Sequence, residues 1–233
     1  MIDWHSHVLP NMDDGSSSPE ESVVMLKMLS DQNVDYVIAT PHFIANDESV
    51  EVFLQRRKES FESLCNITQD KLPNIILGAE VKYYNGISRM ENLEELCIEG
   101  TSSLLLEMPF GKWTEYTVRE LEEIATTKSI TVILAHIERY FSKNSVNVFK
   151  RLYRSGILMQ VNANCFDTFF ARKKAYKLLE CEAIRFIGTD CHNTTTRQPN
   201  IKKSFELLQK KFGKAFIDQF NQYGLSVLFK NSL

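Results

Sequence analysis

Short apolar runs recur along the chain at residues 2–4, 36–40, 75–77, 104–106, 131–135, 158–161 and 185–187. Each is rich in aliphatic and β-branched residues and bounded by polar or turn-forming ones, the pattern of a parallel strand buried on both faces. Between them, apolar residues spaced three and four apart predict helices near 50–65, 116–127, 144–154, 173–181, 201–211 and 214–222. The best-marked helix start is Ser18-Pro19-Glu20-Glu21. Ser18 caps, Pro19 takes the first turn and Glu21 completes a capping box, so a helix is expected from there to about Gln32. Seven strands alternating with helices specify an α/β fold. No Gly/Pro/Ser-rich break and no repeat of fixed period interrupts them, so residues 1–233 are expected to form a single domain. The turns G-x-G-x-x-G and G-x-x-x-x-G-K-[ST] of nucleotide-binding sheets do not occur, which favours a seven-stranded barrel over an open sheet.

The chemistry shows in where polar residues interrupt this pattern. All five histidines fall at or just after a predicted strand end. His5 and His7 follow the first strand, His42 the second, His136 the fifth and His192 the seventh. Carboxylates occupy the others: Glu80 after the third strand, Glu107 after the fourth and Asp190 beside His192, while Asp14 lies in the loop after the first. In a parallel α/β protein the C-terminal strand ends share one mouth, so these nine residues are expected to meet there. His5-Ser6-His7 on extended backbone sends both imidazoles to one side, where they can grip one cation. Imidazole and carboxylate ligands without thiolates suit Mn²⁺, Fe²⁺ or Zn²⁺ better than Ca²⁺ or Cu⁺.

Composition narrows the partners. A formal net charge of −3 provides no broad cationic face, so nucleic acid is not an expected partner. Met1-Ile2-Asp3-Trp4-His5 lacks the basic start and apolar run of a signal peptide, and no segment is long enough to span a membrane; a cytoplasmic location is therefore expected. Cys65, Cys97, Cys165, Cys181 and Cys191 are scattered, odd in number and form no C-x-x-C pair, as reduced thiols would be.

The strings Ile2-Asp3-Trp4-His5-Ser6-His7, Asp13-Asp14-Gly15, Thr40-Pro41-His42, Gly78-Ala79-Glu80, Leu106-Glu107, Ala135-His136-Ile137-Glu138-Arg139-Tyr140 and Gly188-Thr189-Asp190-Cys191-His192-Asn193 resemble the polymerase-and-histidinol-phosphatase (PHP) superfamily. They look most like its bacterial capsular-polysaccharide protein-tyrosine phosphatases, over residues 2 to about 200. The resemblance implies a distorted (β/α)7 TIM-like barrel and a site for three divalent ions, Mn²⁺ first, with Fe²⁺, Zn²⁺ or Mg²⁺ as alternatives. By that resemblance His5, His7, Glu80 and Asp190 hold the first ion, Glu80, Glu107 and His136 the second, and Asp14, His42 and His192 the third. Three such ions and four carboxylates would leave a net charge of about +2, which welcomes a phosphate dianion. Arg139 and Arg197 resemble the family arginines that clamp the phosphate with paired guanidinium donors. The implied substrate is a phosphotyrosine protein, a bacterial tyrosine kinase with a tyrosine-rich tail, in capsule or exopolysaccharide export; an oligomer stays open.

Rival readings share parts of this pattern. Histidinol phosphate or another small phosphomonoester could be the substrate on the same scaffold, as could DNA for an exonuclease. A metal-dependent amidohydrolase also opens with H-x-H but needs a longer, eight-stranded chain. A non-catalytic metal-binding module would need no substrate at all. Cys191 and Arg197 spell the C-x-x-x-x-x-R of cysteine-dependent tyrosine phosphatases, yet the loop has no glycines for close phosphate approach and His192 within it already belongs to the metal pattern. Phe43, Phe110 and Trp113 fall in expected strand-end loops, where each could pack a tyrosyl ring or the core; Phe166, Phe169 and Phe170 are expected in the core.

Overall fold

The computed structural model describes residues 1–67 and 72–229. Every strand pair is parallel, and each predicted strand is present. In chain order they are β1 (Ile2–Ser6), β2 (Tyr36–Ala39), β3 (His42–Phe43), β4 (Asn74–Leu77), β5 (Glu80–Lys82), β6 (Ser103–Glu107), β7 (Thr131–Leu134), β8 (Leu158–Asn162) and β9 (Ile184–Gly188). Helices α1 (Pro19–Ser30), α2 (Val50–Ile67), α3 (Glu115–Thr127), α4 (Val146–Arg154), α5 (Phe169–Glu180), α6 (Lys202–Phe212) and α7 (Lys214–Leu228) fill the connections. Ser18 caps α1 as expected, accepting from Glu21 N–H at 3.2 Å, but the Glu21 carboxylate turns to the Ser17 N–H and hydroxyl instead of closing a capping box.

The strands form two ladders, β1-β2-β4 and β3-β5-β6-β7-β8-β9. Two short strands lie beyond the predicted seven: after a break, β3 follows β2 and β5 follows β4. Pro41 explains the first break, because it has no N–H to continue the ladder. At the second, Gly78 lies so close to its neighbours that an added Cβ would meet Ile98 and Thr40 side chains at 3.2 and 3.3 Å. Pairing resumes past both breaks, with Gly78 N–H donating to Ala39 O (2.8 Å) and Glu80 N–H to Pro41 O (3.0 Å). At the other side β1 meets β9 through one bridge, Ser6 with Cys191, and through Asp190 N–H to His5 O (2.8 Å) and His7 N–H to Cys191 O (2.9 Å).

Period-two alternation separates two cores. Outward residues such as Val37, Leu104, Leu106, Val132, Met159 and Val161 pack with the helices. A smaller cluster, including Trp4, Ile38, Leu105, Ile133 and Phe186, draws on both ladders and is backed by α7 residues Tyr223 and Leu228. Following that inner face toward the C-terminal strand ends, apolar side chains give way to polar ones: Leu158 to Gln160 and Asn162, Leu105 to Glu107, Ile38 to Thr40. The apolar layer is a floor, and the polar layer above it is the site. No helix among the described residues is long and apolar enough to cross a membrane.

Candidate metal centre

All nine predicted ligands converge above that floor. Glu80 is at the centre: its Oε2 lies 3.0 Å from His5 Nε2, 3.3 Å from His7 Nε2 and 3.1 Å from His42 Nδ1, and its Oε1 lies 2.7 Å from His136 Nε2. Asp190 Oδ1 is 3.7 Å from His5 Nε2, 3.5 Å from His7 Nε2 and 3.6 Å from His192 Nδ1. Asp14 Oδ1 faces His42 and His192 at 3.6 and 3.3 Å. Glu107 Oε1 is 3.5 Å from His136 Nε2. Glu80, His5, His7, His136, Asp190 and His192 are buried, whereas Asp14 is exposed at the rim. Two of these residues, His136 (φ 32°) and Asp190 (φ 54°), hold left-handed backbone conformations that cost non-glycine residues energy and concentrate at functional sites.

The donor set fits divalent cations. Three groups each bring ligand atoms within 4.8 Å of one another: His7, Asp14, His42 and His192; His5, His7 and Asp190; His42, Glu80 and Glu107. They overlap the three sets implied by the resemblance, with His7 reaching toward the third set and His42 toward the second. His5 Nε2 and His7 Nε2 sit 3.2 Å apart, two imidazole nitrogens aimed at one point. His136 Nδ1 is buried without a hydrogen-bond partner, and so is His192 Nε2, whose approach to Asp14 falls outside hydrogen-bond geometry. Burial alone would raise the Glu80 carboxyl, yet the charge of His5 and hydrogen bonds from His136, His5 and His7 hold it well below the usual carboxylate range. Its electron pairs are therefore free of a proton and available.

Both predicted arginines reach the same cluster. Arg139 Nη2 donates to Asp190 Oδ2, and Arg197 Nη2 to Asp190 Oδ1 at 2.9 Å. Arg197 Nη1 also lies 3.4 Å from Asp14 Oδ2. The two guanidiniums flank a cavity of about 470 Å³ whose wall includes Asn162, Asn164, Gln198 and Asn200. Of the aromatics considered for a tyrosyl ring, Phe43 and Trp113 are core residues, and only Phe110, 74% exposed, stays available.

Five supporting residues, Asp13, Gly15, Gln160, Asn162 and Asp3, had no role assigned from the sequence, although Asp3, Asp13 and Gly15 stand in the quoted strings. Asp13 Oδ2 accepts from His7 Nδ1 (2.7 Å) and His42 N–H (2.8 Å), which fixes the His7 tautomer with Nε2 facing the cluster. Gly15 lets that turn close, since a Cβ there would meet His7 Cβ and O at 2.5 Å. Gln160 Oε1 accepts from His136 N–H at 2.6 Å, and Asn162 Nδ2 donates to Asp190 Oδ2 at 2.8 Å. Asp3 accepts from Thr189 N–H (2.8 Å) and hydroxyl (2.6 Å), tying β1 to the loop after β9. A usable signal existed for Gln160 and Asn162: two polar residues at period two in an otherwise apolar strand, the one strand without a candidate ligand.

The thiolate alternative has no footing. Cys191 is buried, and burial together with the nearby Asp3 charge pushes its thiol well above the ordinary range. Cys191→Ser is expected to retain most of the turnover, and iodoacetamide to leave the intact protein active; steady-state rates on an aryl phosphate check both, and near-complete loss in the variant with metal still bound would reinstate the thiolate.

A family profile of capsular polysaccharide synthesis proteins, CpsB/CapC, matches residues 1–226. The chain belongs to the CpsB/CapC family. Its relatives include a putative tyrosine-protein phosphatase, CapC of Staphylococcus aureus, 30% identical over 235 residues, covering 96% of this chain and 88% of CapC. The tyrosine-protein phosphatase YwqE of Bacillus subtilis (strain 168) is 27% identical over 222 residues, covering 91% of this chain and 85% of YwqE. The fold is similar to that seen in crystal structures of YwqE from Bacillus subtilis and CpsB from Streptococcus pneumoniae, described as unique metal-dependent tyrosine phosphatases. That likeness has a TM-score of 0.77 at 21% identity, covering 98% of this chain and 94% of the other. The capsular-polysaccharide branch expected from the quoted strings is thus the one to which this CpsB/CapC chain belongs.

Proposed function

We propose that this chain is a metal-dependent protein-tyrosine phosphatase, hydrolysing phosphotyrosine on a protein substrate in capsule or exopolysaccharide synthesis. The observation that carries the reading is the meeting of five imidazoles and four carboxylates with two arginines at a single rim, in a chain whose family relatives are named tyrosine-protein phosphatases. Residues 1–233 would act as one catalytic domain. The two ladders are read as arcs of a distorted seven-stranded barrel, supported by the rejoined breaks at Pro41 and Gly78 and the Ser6–Cys191 bridge.

His5, His7, Glu80 and Asp190 would hold one cation, Glu80, Glu107 and His136 a second, and Asp14, His42 and His192 a third; the mixed nitrogen and oxygen donors suit Mn²⁺, Fe²⁺ or Zn²⁺, and the resemblance puts Mn²⁺ first. When bound, such cations would supply Lewis-acid charge and lower the pKa of water toward about 7. The chain does the rest. Asp13 and Gln160 orient His7 and His136, and Asn162 orients Asp190. Arg139 and Arg197, whose donors now converge on the two oxygens of Asp190, present charge and paired N–H groups where a phosphate dianion can compete for them. The substrate would be a tyrosine kinase of the same cell with a phosphorylated flexible tail, which places the reaction in the cytoplasm, where ATP supports that kinase.

The test compares turnover of a phosphotyrosine peptide, histidinol phosphate and short single-stranded DNA with Mn²⁺, Mg²⁺, Zn²⁺ or EDTA. Expected is a preference for the phosphotyrosine peptide that Mn²⁺ supports and EDTA abolishes. Turnover surviving EDTA would remove the basis of the mechanism, and a preference for histidinol phosphate would transfer it to a small phosphomonoester.

A further inference from the structure

Phe169 and Phe170, expected in the core, open α5 with 63% and 82% of their surface exposed. Large aromatics left in water beside one another mark contact surfaces more often than chance exposure. Next to them a cavity of about 250 Å³ lies between α4 and α5, walled by Phe141, Phe149 and Phe170 and edged by Lys173, Lys174 and Lys177. Lys174 Nζ donates to Phe141 O at 2.7 Å and lies 5.8 Å from the centre of its ring. Among the described residues, no carboxylate lies within ion-pair distance of Lys173, Lys174 or Lys177. Three cations edging an apolar recess repel one another until an anion arrives.

The position connects this recess to the site. Phe141 follows Arg139 and Tyr140 in the turn after β7, and Asn144, which also lines the recess, donates to Gly111 O (3.1 Å) and accepts from Trp113 N–H (3.0 Å) in the loop that carries exposed Phe110. α5 itself begins just past the turn Ala163–Asp167 that follows β8, the strand ending at Asn162 beneath Asp190. The recess and Arg139 are thus both built on segments that follow the C-terminal ends of β7 and β8.

We propose that this recess is a docking site for an acidic segment of the phosphotyrosine protein, seating one large apolar side chain among the three phenylalanines and its carboxylates against the lysines. The inference rests on the phosphatase reading and adds a recognition element outside the metal cluster. Shape favours a peptide over a bilayer, because a recessed apolar pocket needs an inserted side chain and a flat surface cannot fill it. Charge disfavours a second copy of the chain facing itself here, since a two-fold contact would set lysines against lysines.

The test is fluorescence anisotropy with an unphosphorylated, fluorescein-labelled peptide rich in Asp and Glu around Leu and Tyr, beside a version with Asn and Gln in their place. The intact protein is compared with the Lys173→Glu/Lys177→Glu double variant and with Phe170→Ser, all at exposed side chains. Expected is binding of the acidic peptide about tenfold tighter to the intact protein than to the double variant, an advantage that shrinks as salt rises. Phe170→Ser should also weaken binding, and p-nitrophenyl phosphate turnover should be equal in all three proteins. Equal affinity of intact and double-variant protein for the acidic peptide overturns the proposal. So does sedimentation of the intact protein, but not the double variant, with phosphatidylglycerol/phosphatidylcholine vesicles when peptide affinity is unchanged. Absence of p-nitrophenyl phosphate turnover with Mn²⁺ would count against the phosphatase reading alone, because the binding readout needs no catalysis.

Discussion

Replacing Glu80 with Gln is expected to lower phosphotyrosine-peptide turnover by on the order of 10²–10³-fold and to reduce the metal bound per chain. Glu80 makes four imidazole contacts within 3.3 Å, to His5, His7, His42 and His136, and among the described residues no other carboxylate touches as many. It is also the ligand shared between two proposed cation sets. The amide keeps the shape but exchanges one acceptor oxygen for an N–H₂ donor and removes the charge that offsets the cations. Two measurements on the purified variant decide the matter: elemental analysis for metal and circular dichroism for fold. A folded variant with full metal content and full turnover would end the assignment of Glu80 as the central ligand.

The second large effect is expected at a residue that offers no ligand atom itself, Gly188. A Cβ there would fall 2.5 Å from His5 Cβ, 2.7 Å from His5 N and 3.0 Å from Gln160 Nε2. The first two contacts cannot be relieved by rotating a side chain, so Gly188→Ala must push β9 away from β1. That seam carries both the Asp190 N–H to His5 O bond and the placement of His5 against Asp190. Overpacking of this kind costs about 1–3 kcal/mol, and at this chain length that corresponds to a fall in Tm of roughly 3–10 °C. Calorimetry should show the lower Tm, and elemental analysis should show weakened metal retention even at temperatures where the variant is folded. An unchanged Tm with full metal would mean that the seam is more pliable than its contacts indicate.

Much of this molecule can be read along the chain because its signals are local. The strands are buried on both faces, so they read as unbroken apolar runs, and the candidate ligands stand out as the polar residues that end those runs: Glu107 after Leu104-Leu105-Leu106, His136 after Ala135. Parallel pairing then compels the strand ends to one mouth, so nine distant residues could be placed together without coordinates. The support shell was less legible. Asp13, Gln160, Asn162 and Asp3 act through hydrogen bonds to cluster or loop partners that lie between 6 and 186 residues away, and no period along the chain encodes such a pairing.

Phe169 and Phe170 show the limit most plainly. Their hydrophobicity alone argued for the core, but α5 starts four residues earlier than the helical pattern from residue 173 indicated, and that start leaves both rings in solvent beside three lysines. Likewise Phe43 and Trp113, each a candidate for a tyrosyl ring by position, were claimed by the core. Composition and periodicity determined the α/β class, the order of elements and the donor set, because those depend on which residues prefer burial and at what spacing. Only the tertiary structure decided which aromatics face water, which polar groups orient the ligands, and where β1 meets β9, because each depends on how far apart two elements finally pack.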